Sequence, residues 1–131
     1  QDLRTAVDLN VTSCFWLSVR LSKYFRDSGS SLTIVNISSL AAVANLSTMG
    51  IYSAGKAARD KYHSLIADEE KHKIKTLNYA PGPLETEMVE EIRAAQHLDS
   101  ALKTNFENKL LEPELSAKKL IRLLSTNNFE S

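Results

Sequence analysis

An α/β fold on parallel strands is what this sequence predicts, on three observations. Helical and extended patterns alternate along the chain. It has two short strand-like runs, Leu32 to Ile37 and Ile74 to Tyr79, the first rich in β-branched residues as in covered sheets. Between them lies an alanine-rich stretch long enough to be the helix of a right-handed crossover between parallel strands. Two strands alone leave each edge without a neighbour. Further strands are therefore expected from residues beyond this sequence.

The elements follow in order. Leu3, Val7, Asn10, Cys14, Leu17, Leu21 and Phe25 recur at steps of three and four, which predicts one amphipathic helix over about 2–26. Asp27-Ser28-Gly29-Ser30-Ser31 ends it with turn chemistry. Leu32 to Ile37 reads as a strand apolar enough to be covered on both faces. A loop is expected over 40–50 and a second helix from about Gly50 to Glu70. The second strand runs from Ile74 to Tyr79, and Pro81-Gly82-Pro83 stops regular structure. Short helices are predicted at about 86–95 and 99–108. Pro113 suits the first position of a last helix with Leu115, Leu120, Ile121 and Leu124 on its apolar side.

Composition narrows the functional classes. At 131 residues and 43% hydrophobic, the chain suffices for one domain with a core. Lys+Arg and Asp+Glu balance at 16 each, which gives no case for nucleic acid or an anionic membrane as partner. No apolar run approaches the ~20 residues of a membrane span, and no secretory signal pattern opens the sequence. The single cysteine, Cys14, suits a reducing compartment, so a cytoplasmic location is expected. Cys14 reads as a small core residue and Trp16 as packed on a helix or a partner subunit. His63, His72 and His97 lack metal-ligand spacing and read as surface residues, so no metal is expected.

The chemistry-bearing residues are few. Tyr52 and Lys56 stand four apart on the second helix and share a face. Taken alone that spacing is common. Its context is the small Ser53-Ala54-Gly55 run and a strand that ends in Ser38-Ser39. Ligand sites of open α/β sheets lie beyond the carboxyl ends of strands, where Ser39 falls. A hydroxyl, a phenol and an ammonium together can polarise a carbonyl and protonate it. Asn10 is the odd polar residue on the first helix's apolar stripe. Either it is a core amide satisfied by backbone or water, or it serves a site. Asn78 through Met88 follows the second strand with a proline-glycine turn. Thr86 there could cap the next helix, and a rigid turn with an N-cap is the plainer reading.

These segments resemble the short-chain dehydrogenase/reductase family. The resemblance rests on Asn10, Asn36-Ile37-Ser38-Ser39, Tyr52-Ser53-Ala54-Gly55-Lys56 and Pro81-Gly82-Pro83-Leu84-Glu85-Thr86, in family order and spacing. It implies the C-terminal half of a Rossmann-like doubly wound parallel sheet with flanking helices, spanning 1–131. The glycine-rich phosphate turn is not among Gly29, Gly50, Gly55 and Gly82, so a partial domain is expected, without the N-terminal dinucleotide-binding half and the C-terminal end.

The resemblance also implies roles. Tyr52 would protonate the carbonyl oxygen. Lys56 would hold the cofactor ribose and favour the phenolate of Tyr52. Ser39 would hydrogen-bond the substrate carbonyl, with Leu40 and Gly82 also touching substrate. Asn10 would hold a water that relays protons to Lys56. Leu84, Glu85, Thr86, Glu87, Met88 and Val89 would contact the cofactor, NADPH, with Thr86 near its carboxamide or pyrophosphate. The stretches Ala57-Ala58-Arg59-Asp60 and Asn78-Tyr79 are more particular. Within the family they resemble members that reduce a pterin side chain in tetrahydrobiopterin synthesis. A homodimer through the helices at 2–26 and 50–70 is also implied. Reduction of another small ketone or dicarbonyl, and a non-catalytic dimerisation module, are the alternatives.

Overall fold

The computed structural model describes residues 2–95, 106, 110–127 and 129. Its framework is a two-stranded parallel sheet with helices packed against it. Strand β1 is Leu32–Ile37 and β2 is Ile74–Tyr79. They pair in parallel with Leu32 opposite Ile74 and Ile37 opposite Tyr79. Both strands therefore end at the same edge, and the segments that follow them emerge side by side.

The first predicted helix is three pieces. Helix α1 covers Leu3–Val7, a π-helical turn covers Asp8–Thr12, and α2 covers Ser13–Ser28. Asp2 caps α1 by accepting the Arg4 N–H. Gly29, at φ 73, closes α2 in the left-handed conformation that glycine reaches without steric cost. The buried face of α2 is not the most apolar one. Ser18 and Ser22 are buried, with Phe15 stacked on Tyr62 of the following helix at 4.2 Å. Leu3, Val7, Leu17 and Leu21, the expected core stripe, are exposed. Small side chains allow two helices to approach, whereas leucines would hold them apart.

Helix α3, Gly50–Glu69, is the crossover between the strands and lies against them. His63 corrects the surface assignment, being only 1% exposed. It is held by Ser18 at 3.0 Å and by the Arg59 carbonyl at 2.8 Å. Its third tie is its own carbonyl, which accepts from Thr76 of β2 at 2.9 Å. The α2–α3 junction thus carries a polar pair where leucines would be expected. An Arg26–Glu70 ion pair closes its outer end.

After β1 a short 3-10 turn, Leu40–Ala42, interrupts the expected loop. After β2 comes helix α4, Glu87–Ala94, and finally α5, Pro113–Thr126, with proline in its first turn. Leu115 and Ile121 of α5 are exposed, against expectation, and the buried residue that ties this helix down is Ser116. Strand β1 is not covered on both faces by the described residues, since Ile37 remains 43% exposed. The helix expected at 99–108 lies outside the described residues except for Phe106. Among the described residues no helix is long and apolar enough to cross a membrane.

Candidate active site

The carboxyl edge of the sheet opens into a cavity of about 580 Å³. Ser39 and Leu40 enter its wall from the end of β1, Tyr52 and Lys56 from α3. Gly82, Leu84, Thr86, Met88 and Val89 enter from the segment after β2. The site falls where the crevice rule for parallel sheets puts ligands.

Each side chain is placed by local rules. Side chains on extended backbone alternate between faces. Ser38 turns inward and is buried, and Ser39, extended at φ −158, ψ 156, turns to the cavity. The Ser39 hydroxyl accepts the Ala41 N–H at 3.2 Å, which caps the 3-10 turn and leaves its own proton to donate. Tyr52 and Lys56 sit one turn apart, with Lys56 Nζ 5.6 Å from the Tyr52 ring centroid. That ammonium donates to the Ile37 carbonyl at 2.7 Å, which ties the helix to the strand end. Burial pulls the Lys56 pKa below the usual lysine value and Arg59 adds to this, while Asp60 and Cys14 oppose it.

The segment after β2 is held from behind. Gly82 takes φ 84, the left-handed conformation that glycine reaches without steric cost, and a Cβ there would also press on Leu111 Cδ1 at 3.3 Å. Leu111 N–H donates to Pro83 O at 2.8 Å, and Glu85 N–H donates back to Leu111 O at 3.0 Å. Below them Tyr79 Oη donates to Ser116 O at 2.9 Å, and Ser116 Oγ donates to Pro81 O at 3.1 Å. Thr86 occupies the N-cap position of α4, but its side chain caps nothing and its hydroxyl lies 3.5 Å from Leu84 O.

Not every sequence candidate reaches the cavity. Glu85 and Glu87 are exposed and stand outside its wall. Asn10 is exposed rather than buried; it sits on the π-helical turn, and its amide donates to Ala6 O at 2.9 Å. It lies beside Gly55, whose missing Cβ would come 3.9 Å from Asn10 Cβ, but it does not line the cavity.

One constellation escaped the sequence reading. Asn36, 2% exposed, gives both amide protons, to Asp60 Oδ1 at 2.8 Å and to Asn78 Oδ1 at 2.9 Å. Its own oxygen accepts from Arg59 Nε at 2.9 Å. Ser38 donates to the other oxygen of Asp60. The available signal was one asparagine in each strand, which the register places opposite one another.

A family model described as short chain dehydrogenase matches residues 1–97. Among curated proteins, the chain is 42% identical to sepiapterin reductase of Rattus norvegicus over 94% of its own length and 48% of the relative's. With sepiapterin reductase of Mus musculus the identity is 41%, covering 94% of this chain and 49% of that one. A benzil reductase of Bacillus cereus is 30% identical, over 95% of this chain and 53% of the relative. The chain thus spans about half the length of the curated relatives it matches.

Proposed function

The chain belongs to the short-chain dehydrogenase family, and on that footing we propose that it is the C-terminal, catalytic half of an NADPH-dependent reductase. Its substrate is a ketone on a pterin side chain, as in sepiapterin, on the route to tetrahydrobiopterin. The observation that carries this reading is that Ser39, Tyr52 and Lys56 line one cavity, with the Lys56 ammonium 5.6 Å from the Tyr52 ring centroid. Similarity to sepiapterin reductases supports the pterin substrate.

The residues present fit a nicotinamide cofactor. Lys56 gives one N–H to Ile37 O, and an ammonium carries three. A half-buried cation with donors to spare suits a ribose diol. Thr86 offers one hydroxyl at the start of α4. The acids Glu87 and Glu90 in that first turn, with Glu85 before it, disfavour a pyrophosphate there. A neutral carboxamide is therefore the better partner for Thr86, with Leu84, Met88 and Val89 as apolar contacts. Glu85 and Glu87 contribute charge rather than contact. The basic residues that would select NADPH belong to the upstream half of such an enzyme.

The bound cofactor supplies the hydride, which no side chain can provide. Tyr52 donates the proton to the carbonyl oxygen, a contribution of about 10²–10⁴-fold for general acid catalysis. Ser39 donates a hydrogen bond to the same oxygen, where negative charge develops. Lys56 Nζ, 5.6 Å from the Tyr52 ring centroid, places a positive charge beside the oxygen that gives up the proton. Asn10, beside Gly55, would hold a water on the solvent side of Lys56 for return of the proton. Gly82 and Leu40 border the substrate.

The rest of the cavity wall is apolar, with Leu46, Met49, Ile92 and Phe106. This and the benzil reductase similarity favour aromatic diketones as a second reading. The complete polypeptide, assayed with NADPH, decides between them. Turnover of sepiapterin supports the first reading, and turnover of benzil alone supports the second. Saturable NADPH binding without turnover of either refutes both.

A homodimer through α1–α2 and α3, in the cytoplasm, completes the proposal. Its motive is the exposed face carrying Trp16, at 63%, and Tyr24, at 68%. Sedimentation of the complete protein as a monomer at micromolar concentration would refute it. A purely dimerising, non-catalytic role for these 131 residues predicts no NADPH binding, and micromolar binding by this chain would exclude that role.

A further inference from the structure

Tyr52 and Lys56 stand on a helix, and Ser39 stands at the end of a strand. Their mutual geometry depends on what fastens one element to the other. Lys56, Arg59 and Asp60 fall at helical spacings of three and four, so they share one face of α3. That face grips three consecutive residues at the end of β1. Arg59 Nε and Asp60 Oδ1 hold the Asn36 amide, each at 2.9 Å or less. Lys56 Nζ holds the Ile37 carbonyl at 2.7 Å. Asp60 Oδ2 accepts from the Ser38 hydroxyl, which is buried. Asn78 of β2 joins the same grip, donating to the Asp60 carbonyl at 3.1 Å.

We propose that Asp60 is a positioning residue: its carboxylate pins Asn36 and Ser38 to α3 and thereby sets Ser39 opposite Tyr52 and Lys56. This rests on the reading of those three as a carbonyl-reducing site. The reason for a carboxylate is the count of donors. Asn36 and Ser38 both present N–H or O–H to it, and an ionised carboxylate accepts at both oxygens, whereas an amide must present a donor on one side. Because Ser38 is fixed on the inner face, the next residue must turn outward into the cavity. A second consequence is electrostatic. The charged groups facing Lys56 are Arg59 and Asp60 from α3, with the Cys14 thiol of α2 and the Tyr52 phenol also near it. With Asp60 neutralised, Arg59 and burial act on the ammonium with only Cys14 opposing.

The test is Asp60→Asn and Ser38→Ala, singly and together, in the complete polypeptide. Asp60→Asn should lower kcat for the carbonyl substrate at least about tenfold and leave KM for NADPH within about threefold, the pattern of lost transition-state geometry. Its alkaline limb of kcat/KM should move to lower pH, which a merely structural defect would not cause. Ser38→Ala should lower kcat without moving that limb, and the double variant should be no slower than Asp60→Asn, since both remove one contact. Unchanged kcat and pH profile in Asp60→Asn, or fully additive losses, overturn the proposal while leaving the reductase reading intact. If Asp60→Asn does not fold, an unchanged kcat in Ser38→Ala overturns it alone. If the wild-type protein reduces no carbonyl, the reductase reading fails. Amide exchange then decides the pinning itself: faster exchange at Ser38 to Ala41 in Ser38→Ala or Asp60→Asn supports it, and unchanged protection overturns it.

Discussion

Replacing Tyr79 by phenylalanine isolates the brace behind the Pro81–Thr86 turn. Tyr79 ends β2 and is 8% exposed, so its ring is core and stays core in the variant. What goes is one oxygen, which donates to Ser116 O at 2.9 Å and sits 3.0 Å from Ser116 Oγ. A neutral hydrogen bond contributes a net ~1 kcal/mol, and a buried group left unpaired costs about 1–3 kcal/mol. Both Ser116 groups keep partners, however. Its carbonyl lies inside α5 and its hydroxyl still donates to Pro81 O at 3.1 Å. The loss should therefore sit at the low end, about 1–1.5 kcal/mol. Urea unfolding of the wild-type and variant proteins reads it as a lower midpoint with an unchanged slope. Ser116→Ala leaves the main-chain acceptor of Tyr79 in place and removes only the bond to Pro81 O, so its loss should add to that of Tyr79→Phe. A midpoint equal to wild type would refute the brace.

Other perturbations probe the remaining parts. His63 is buried and its pKa is pushed below the usual value, chiefly by burial. The unfolded chain thus binds a proton first, near pH ~6.5. Stability should be fully present above that pH and fall as pH drops below it, by at most about 1.4 kcal/mol per pH unit for one proton. His63→Gln should flatten this slope between pH 7.5 and 5.5 in urea titrations, and an unchanged slope would assign it to other groups. Gly82→Ala must place a Cβ at positive φ against Leu111, so it should cost about 1–2 kcal/mol and raise KM for the carbonyl substrate. Steady-state kinetics with wild-type values would refute that. Lys56→Ala removes a cation that faces both Tyr52 and the Ile37 carbonyl, so kcat and NADPH affinity should fall together, as measured by turnover and fluorescence titration.

Much of this was legible before any coordinates. The bounds of β1, α3 and β2 follow from β-branched runs and an alanine-rich crossover, where local preference and tertiary packing agree. Ser39, Tyr52 and Lys56 share a cavity because their positions follow from those elements alone. Three features were not legible, for a common reason. Periodicity finds the most apolar stripe, and on α1–α2 that stripe faces outward. The packed face is built on Ser18 and Ser22, small residues that let α2 approach α3. His63 is buried because Ser18 and the Arg59 carbonyl satisfy both its nitrogens, and pairing of that kind spans residues distant in sequence. Asn10 lies on the same outward-facing stripe, within a π-helical turn that nothing in Asp8–Thr12 announces.

The most direct measurement is the NADPH-dependent reduction of sepiapterin by the complete protein and its Tyr52→Phe variant, with the dissociation constant for NADPH of each. The predicted result is a kcat lower by about 10²–10⁴-fold at an NADPH affinity within about threefold of wild type. A Tyr52→Phe protein that still turns over at the wild-type rate would contradict the assignment of that phenol as the proton donor.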